Sequence, residues 1–113
     1  NIHEAIEYTK ENYNLVANAY PDTPVIITEA GWATNSNGRG IEKHNVSQRL
    51  QRIYYNDLME WTDREKIITY VFEAFDETWK GSAHPLEPEK HWGLFNMDRT
   101  PKQVVRHLTT QKT

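Results

Sequence analysis

Three carboxylates stand where parallel α/β sheets do their chemistry. Glu29 closes the apolar run Val25-Ile26-Ile27-Thr28, Glu73 follows the run Ile67-Ile68-Thr69-Tyr70-Val71-Phe72, and Glu77 ends Phe75-Asp76-Glu77. Functional side chains in such sheets gather beyond the carboxyl ends of the strands. If the two runs are neighbouring strands joined by a right-handed crossover, Glu29 and the 73–77 segment face one cleft. Paired carboxylates on one rim are the minimum equipment for cleaving a glycosidic bond, one as nucleophile or base and one as acid. Position alone leaves the plainer reading equally open, because a Glu at a strand end is as often a solvated or helix-capping residue. For Trp32, Trp79 and Trp92, each taken singly, packing stands ahead of sugar stacking. Lys80, three residues after Glu77, reads by itself as a surface ion pair of little energetic weight.

The elements that would position these groups alternate. Ile2, Ala5, Ile6, Thr9, Tyr13, Val16, Ala17 and Tyr20 share one helix face, and Pro21-Asp22-Thr23-Pro24 turns the chain. The run 25–28 is apolar on both faces, as a buried parallel strand should be. Asn45 with Gln48 three residues on resembles a capping box, opening a helix with the stripe Val46, Leu50, Ile53, Tyr54, Leu58 and Trp61. The run 67–72 is the second strand. After a stretch containing Gly81, Pro85 and Pro88, Thr100-Pro101 has the form of an N-cap and first helical residue leading to Val104, Val105 and Leu108. Strands alternating with helices imply an α/β fold with a parallel sheet. Two strands cannot close a sheet, and a complete (β/α)8 barrel takes roughly 250 residues, so 113 residues read as part of something larger or as a chain that must associate.

Composition narrows the classes further. A net charge of -3 gives no reason to expect nucleic acid as a partner. The absence of cysteine excludes disulfides and thiolate metal sites. No apolar run approaches the roughly 20 residues of a membrane span. Asn1 opens directly into a helical pattern rather than a signal peptide. His84 and His91, with Glu87 and Glu89 between them, have a Pro-interrupted spacing that matches no preferred metal-ligand pattern. Asn45-Val46-Ser47 is a glycosylation sequon, but the capping role already accounts for Asn45. The 35–40 loop, rich in Asn, Ser and Gly, reads as a solvated turn.

The wording of three segments carries more. Ile27-Thr28-Glu29-Ala30-Gly31-Trp32 resembles the nucleophile strand of glycoside hydrolase family 17, the endo-β-1,3-glucanase family. The run from Tyr70 through Phe72-Glu73-Ala74-Phe75-Asp76-Glu77-Thr78-Trp79-Lys80 resembles that family's eighth barrel strand and following loop. Glu89-Lys90-His91-Trp92-Gly93-Leu94-Phe95 is similar to its closing motif. The resemblance implies that residues 1–113 form the C-terminal segment of a glycoside hydrolase (β/α)8 barrel. It implies that Glu29 is the catalytic nucleophile and that Glu77, Lys80 and Glu89 are the charged cluster beside it. Trp32, Phe75 and Trp79 fall in matching cleft-side segments as substrate contacts, and Glu73 stands as a supporting carboxylate.

The activity this resemblance implies is retaining hydrolysis of β-1,3-glucan such as laminarin, needing no cofactor or metal, with Lys80 holding Glu29 ionised. A glucan transglycosylase of the same family and a non-catalytic carbohydrate-binding fragment are the alternatives. The family's general acid lies on an earlier strand that this chain lacks, so the isolated chain is expected to be inactive. Its partners are then a β-glucan and either the remaining barrel segment or a second copy. The family also implies a secreted, periplasmic or cell-surface location.

Overall fold

The computed structural model describes residues 1–106. Helix α1 spans Ile2–Ala19 and opens with a capping box, the Asn1 side chain accepting from the Glu4 backbone while Glu4 reaches back to residue 1. Its stripe buries Ile2 and Ile6, and Tyr13 meets Trp61 edge-on at 5.5 Å. Val16 and Tyr20, on the same stripe, remain 48% and 63% exposed, because no described element covers that end of the helix.

Strand β1 is Ile27–Ala30, two residues later than the apolar run suggests, so Glu29 lies within the strand rather than after it. It pairs in parallel with β2, Thr69–Val71, with Ile27 opposite Thr69 and Ala30 opposite Val71. Among the described residues the sheet has these two strands only. Both runs are apolar on two sides, yet Ile26, Ile68, Tyr70 and Val71 are exposed, since one face and both outer edges are open among the described residues.

Helix α2, Gln48–Glu65, carries the crossover. Its N-cap is Ser47, whose Oγ accepts from the Leu50 N–H at 3.0 Å. Asn45 is therefore not the cap; it lies in a 3-10 turn, Lys43–Asn45. The Gln48 side chain, expected to close the capping box, instead accepts from the Gln103 N–H. The stripe read from periodicity does form the core: Tyr54, Leu58 and Trp61 are buried beside Ile2, Ile6, Ala30 and Val104. Tyr55 lies next to it, and its hydroxyl sits 3.2 Å from the Ala30 carbonyl and 3.1 Å from that of Phe72, bridging the ends of both strands. Burial pushes this phenol far above its ordinary pKa, so it stays a donor.

Beyond β2 the chain pairs with its own C-terminal part. Glu73 N–H donates to Trp92 O, Leu94 N–H to Glu73 O, Phe95 N–H to Ala74 O and Asp76 N–H to Phe95 O. This approach tolerates no side chain at two points. A Cβ on Gly31 would lie 2.0 Å from the Phe72 carbonyl oxygen, and one on Gly93 would lie 2.3 Å from the Asp76 nitrogen. Thr100-Pro101 does not open a helix: Pro101 bridges Phe95, and the helical turn starts at residue 103. Leu108 lies outside the described residues.

Tyr55→Phe is expected to cost about 1 kcal/mol, one hydrogen bond shared between carbonyls. Leu58→Ala, at a fully buried position, is expected to cost about 2–5 kcal/mol. Urea unfolding of both variants checks this. Equal losses would show that the hydroxyl bridge, rather than packing, holds α2 to the strand ends.

Candidate active site

Glu29 and Glu89 stand sixty residues apart in sequence and line one cavity of about 360 Å³, with Ala30, Gly31, Tyr54, Phe72 and Trp92. Glu29 gets there from β1. Glu89 gets there from the 3-10 turn Pro88–Lys90, because the segment behind it is bonded on both sides: His91 O accepts from Thr34 N–H, and Trp92 O accepts from Glu73 N–H. Both carboxylates are solvent-exposed.

A second cluster flanks this cavity. Lys80 Nζ lies 2.6 Å from Glu73 Oε2 and 2.9 Å from Glu77 Oε2. The same ammonium stands over the Phe72 ring at 4.6 Å and the Trp79 ring at 5.4 Å. Its side chain is 18% exposed and that of Glu73 15%, so this is no solvated surface pair. The hydrogen bonds that Lys80 donates to Glu73 first, then to Glu77, raise its pKa above the ordinary value. The Lys80–Glu77 pair read from their spacing forms, and Glu73 joins it; among the described residues no ion pair joins Lys80 to Glu29, the carboxylate it was expected to hold ionised. Two carboxylates converging on one nitrogen need that cation to remain ionised together. Glu73, read as a supporting carboxylate, thus makes the shortest contact in the cluster, and its Oε1 is buried without a hydrogen-bond partner.

The three aromatic candidates separate. Trp32 donates its Nε1–H to the Asn45 carbonyl at 2.8 Å and stacks on Tyr54, which anchors the 31–45 loop. Trp32 borders a neighbouring cavity of about 280 Å³ rather than the one holding Glu29. Phe75 faces Phe95, with the Arg99 guanidinium 3.8 Å over its ring, and lines neither cavity. Trp79 is 74% exposed beside Lys80, the one of the three that presents a free face at the cluster. Trp92, not selected as a substrate contact from sequence, lines both cavities and meets Phe72 edge-on.

Sequence reading also missed a buried polar hub. Asp76 Oδ1 accepts from Lys102 Nζ at 2.7 Å and from the Gly93 N–H at 2.9 Å, and Lys102 also donates to Thr34 Oγ1 at 2.8 Å. Burial works to raise the Asp76 pKa, but the hydrogen bonds from His91, Lys102 and Gly93 outweigh it and hold the carboxyl low. Lys102 is 1% exposed, and burial pulls its pKa down against the pull of Asp76. His91 puts Nδ1 3.5 Å from Asp76 Oδ2 and Nε2 2.8 Å from the Pro85 carbonyl. Both neighbours are acceptors, so only the imidazolium satisfies both, and Asp76 raises the His91 pKa. Gln51, fully buried amid the apolar stripe, donates to the Trp32 and Gly93 carbonyls at 3.0 Å each. No spacing rule joins residues 34, 76, 91 and 102.

Known proteins resemble this chain in both sequence and fold. Residues 1–93 match the model of the BtgE/BtgC glycoside hydrolase domain. Glucan endo-1,3-beta-glucosidase 8 of Arabidopsis thaliana is 33% identical over 97 residues, covering 79% of this chain and 19% of that protein. The acidic isoform of glucan endo-1,3-beta-glucosidase from Zea mays is 33% identical over 82 residues, 71% of this chain and 23% of that one. Among solved structures, an endo-laminarinase from Formosa Hel1_33_131 superposes with a TM-score of 0.87 at 31% identity, over 98% of this chain and 30% of that one. The glycoside hydrolase family 17 β-1,3-glucanosyltransferase of Rhizomucor miehei superposes with a TM-score of 0.75 at 26% identity, over 91% and 36%. The chain thus spans about a fifth of the length of the curated relatives it matches. Its fold is a portion of a (β/α) barrel with parallel strands. No described helix is long and apolar enough to cross a membrane.

The His91 contacts carry a pH signature. A pKa raised above about 6.5 makes the stabilisation from His91 complete below that pH and loses it as pH rises through the raised value. Asp76 is held low and stays ionised across this window. The Tm gap between wild type and His91→Gln should be widest at about pH 5–6 and close as His91 deprotonates. A gap independent of pH would mean that the ring acts by packing alone.

Proposed function

Because the chain belongs to the BtgE/BtgC glycoside hydrolase domain family, we propose that it supplies the nucleophile half of a retaining glycoside hydrolase acting on β-1,3-glucan. The observation that carries this reading is Glu29 on β1 sharing one cavity with Glu89, in a chain that superposes on an endo-laminarinase. Glu29 attacks the anomeric carbon while an acid protonates the departing oxygen. Water then attacks the anomeric carbon with the acid now serving as base, breaking the bond to Glu29 and releasing the sugar, a sequence that needs the two carboxyl groups about 5–5.5 Å apart. Glu77, Lys80 and Glu89 hold the charge balance around that step, and Trp79 offers a sugar platform at the rim.

The acid belongs to an earlier barrel strand outside these residues, so 1–113 is the C-terminal segment of the catalytic barrel. The exposed Ile26, Ile68, Tyr70 and Val71 and the open sheet edges support this, being the surface that further strands cover. The remaining barrel is accordingly the first partner, ahead of a second copy, and a polymeric substrate places the protein outside the cytoplasm. Transfer to a sugar hydroxyl in place of water is the second reading, favoured by the likeness to the Rhizomucor miehei glucanosyltransferase.

The test uses the full-length protein on laminarin. Glu29→Gln should lower kcat by orders of magnitude without unfolding, since the covalent route itself is removed. Azide should restore turnover in Glu29→Ala by entering the vacated space. Near-normal hydrolysis by Glu29→Gln overturns the assignment, and lengthened oligosaccharides among the products decide for transfer. Residues 1–113 alone should show no turnover, since general-acid assistance is typically worth about 10²–10⁴-fold.

A further inference from the structure

Lys90 is a buried cation that the catalytic reading leaves unused. It is 8% exposed, and its ammonium donates to two backbone carbonyls, Thr78 O at 2.9 Å and Lys80 O at 2.6 Å. No carboxylate forms an ion pair with it among the described residues. The hydrogen bond from Ser82 leads in lowering the pKa of nearby Glu87, and the Lys90 charge adds to it without an ion-pair contact. Burying an ammonium with no carboxylate against it is costly, and a lysine stem is long enough to carry its head to water. The head stays inside because the 77–80 turn points two carbonyl oxygens toward it.

The main chain of Lys90 grips the same turn from the other side. Its carbonyl accepts from the Glu77 N–H at 3.3 Å. One residue therefore holds Glu77, Thr78 and Lys80. Gly81 ends this stretch with φ +68°, where a Cβ would lie 2.5 Å from Glu87 Cγ, so the turn is pressed against the segment that carries Lys90. The backbone of Lys80 is thus fixed at its own carbonyl, while its side chain delivers the ammonium between Glu73 and Glu77.

We propose that Lys90 is a positioning residue: by clamping the 77–80 turn through two carbonyls, it sets the Lys80 ammonium between Glu73 and Glu77. The inference rests on the reading of this cluster as part of a glycosidase site. It explains why position 90 carries a lysine where an apolar side chain of similar length would pack equally well. A methionine fills the volume but leaves both carbonyls without a donor, so the turn and the Lys80 ammonium lose their fixed place. An arginine retains donors for both oxygens.

The experiment uses the full-length protein with Lys90→Met, Lys90→Arg, Lys80→Met and the Lys80→Met/Lys90→Met pair. Two readouts are taken: kcat and KM on laminarin, and the pH titration of the Lys80 ammonium followed by NMR with 13C-labelled lysine. Lys90→Met should lower kcat about 10- to 100-fold, the cost of a small misplacement, with KM little changed. Lys90→Arg should recover most of it. In the Lys80→Met background, Lys90→Met should have little further effect on kcat, since both act through one ammonium. The Lys80 titration, raised in wild type, should fall back toward the ordinary lysine value in Lys90→Met and stay raised in Lys90→Arg. Unchanged kcat with unchanged Lys80 titration in Lys90→Met overturns the proposal, as does a fully additive loss in the double variant. Should Lys90→Met fail to fold, Lys90→Gln, which keeps one donor pair, is read by the same criteria. If wild type cleaves no laminarin, the functional reading falls, and the Lys80 titration still decides the role of Lys90.

Discussion

The Asp76 carboxylate is the point on which the upper end of this fold depends. It accepts from Lys102, from the Gly93 backbone and from His91, and through Lys102 it reaches Thr34. Four stretches of chain, after β1, after β2, around residue 92 and at residue 102, therefore share one charge. A mostly buried carboxylate is tolerable only when its lone pairs are met. The segments around residue 92 and at residue 102 are held in place by supplying those donors, and Thr34 is tied to them by accepting from the same lysine.

From that junction the two parts of the candidate site take their positions. Pairing of 73–77 with 90–95 carries Glu89 across to the cavity that Glu29 enters from β1. Three lysines are buried or nearly so in this small region, and each is satisfied differently. Lys80 lies between two carboxylates, Lys90 meets two carbonyls, and Lys102 takes a carboxylate and a hydroxyl. The carboxylate-rich segment 73–77 would repel itself without them. Backbone closeness does the rest: Gly31 lies against the Phe72 carbonyl and Gly93 against Asp76, so the strand ends can meet only where no Cβ intervenes.

The sheet itself is the incomplete part. Two parallel strands with apolar residues on both faces are suited to a sheet covered on both sides, and one side is open among the described residues. Tyr70 and Val71 point to opposite faces and are both exposed, because one face and the outer edges are open among the described residues, whereas Leu58 and Tyr55 of α2 are fully covered. The same incompleteness leaves the far half of α1 uncovered at Leu15, Val16 and Tyr20.

The alternation of helix and strand, the parallel pairing and the α2 stripe were all legible in the sequence, because they rest on local periodicity, whereas Glu29, read as following its strand, lies within it. Boundaries were not. Ser47 rather than Asn45 caps α2, and both were chemically suitable, so only the geometry of the turn could choose. Pro101 entered a bridge to Phe95 instead of a helix, because the long-range pairing outweighs a local preference. The aromatic residues show the same limit: Trp32, Phe75 and Trp79 looked alike as sugar contacts, yet one donates to Asn45, one lies under Arg99 and one stands exposed beside Lys80. Lys80 beside Glu77 was readable from their spacing, but the pairing of Lys80 with Glu73, the Asp76 junction and the burial of Lys90 belong wholly to the tertiary structure. A side chain's type states what it can bond, but which partners lie within about 3 Å is decided by segments that are distant along the chain and meet only when it folds.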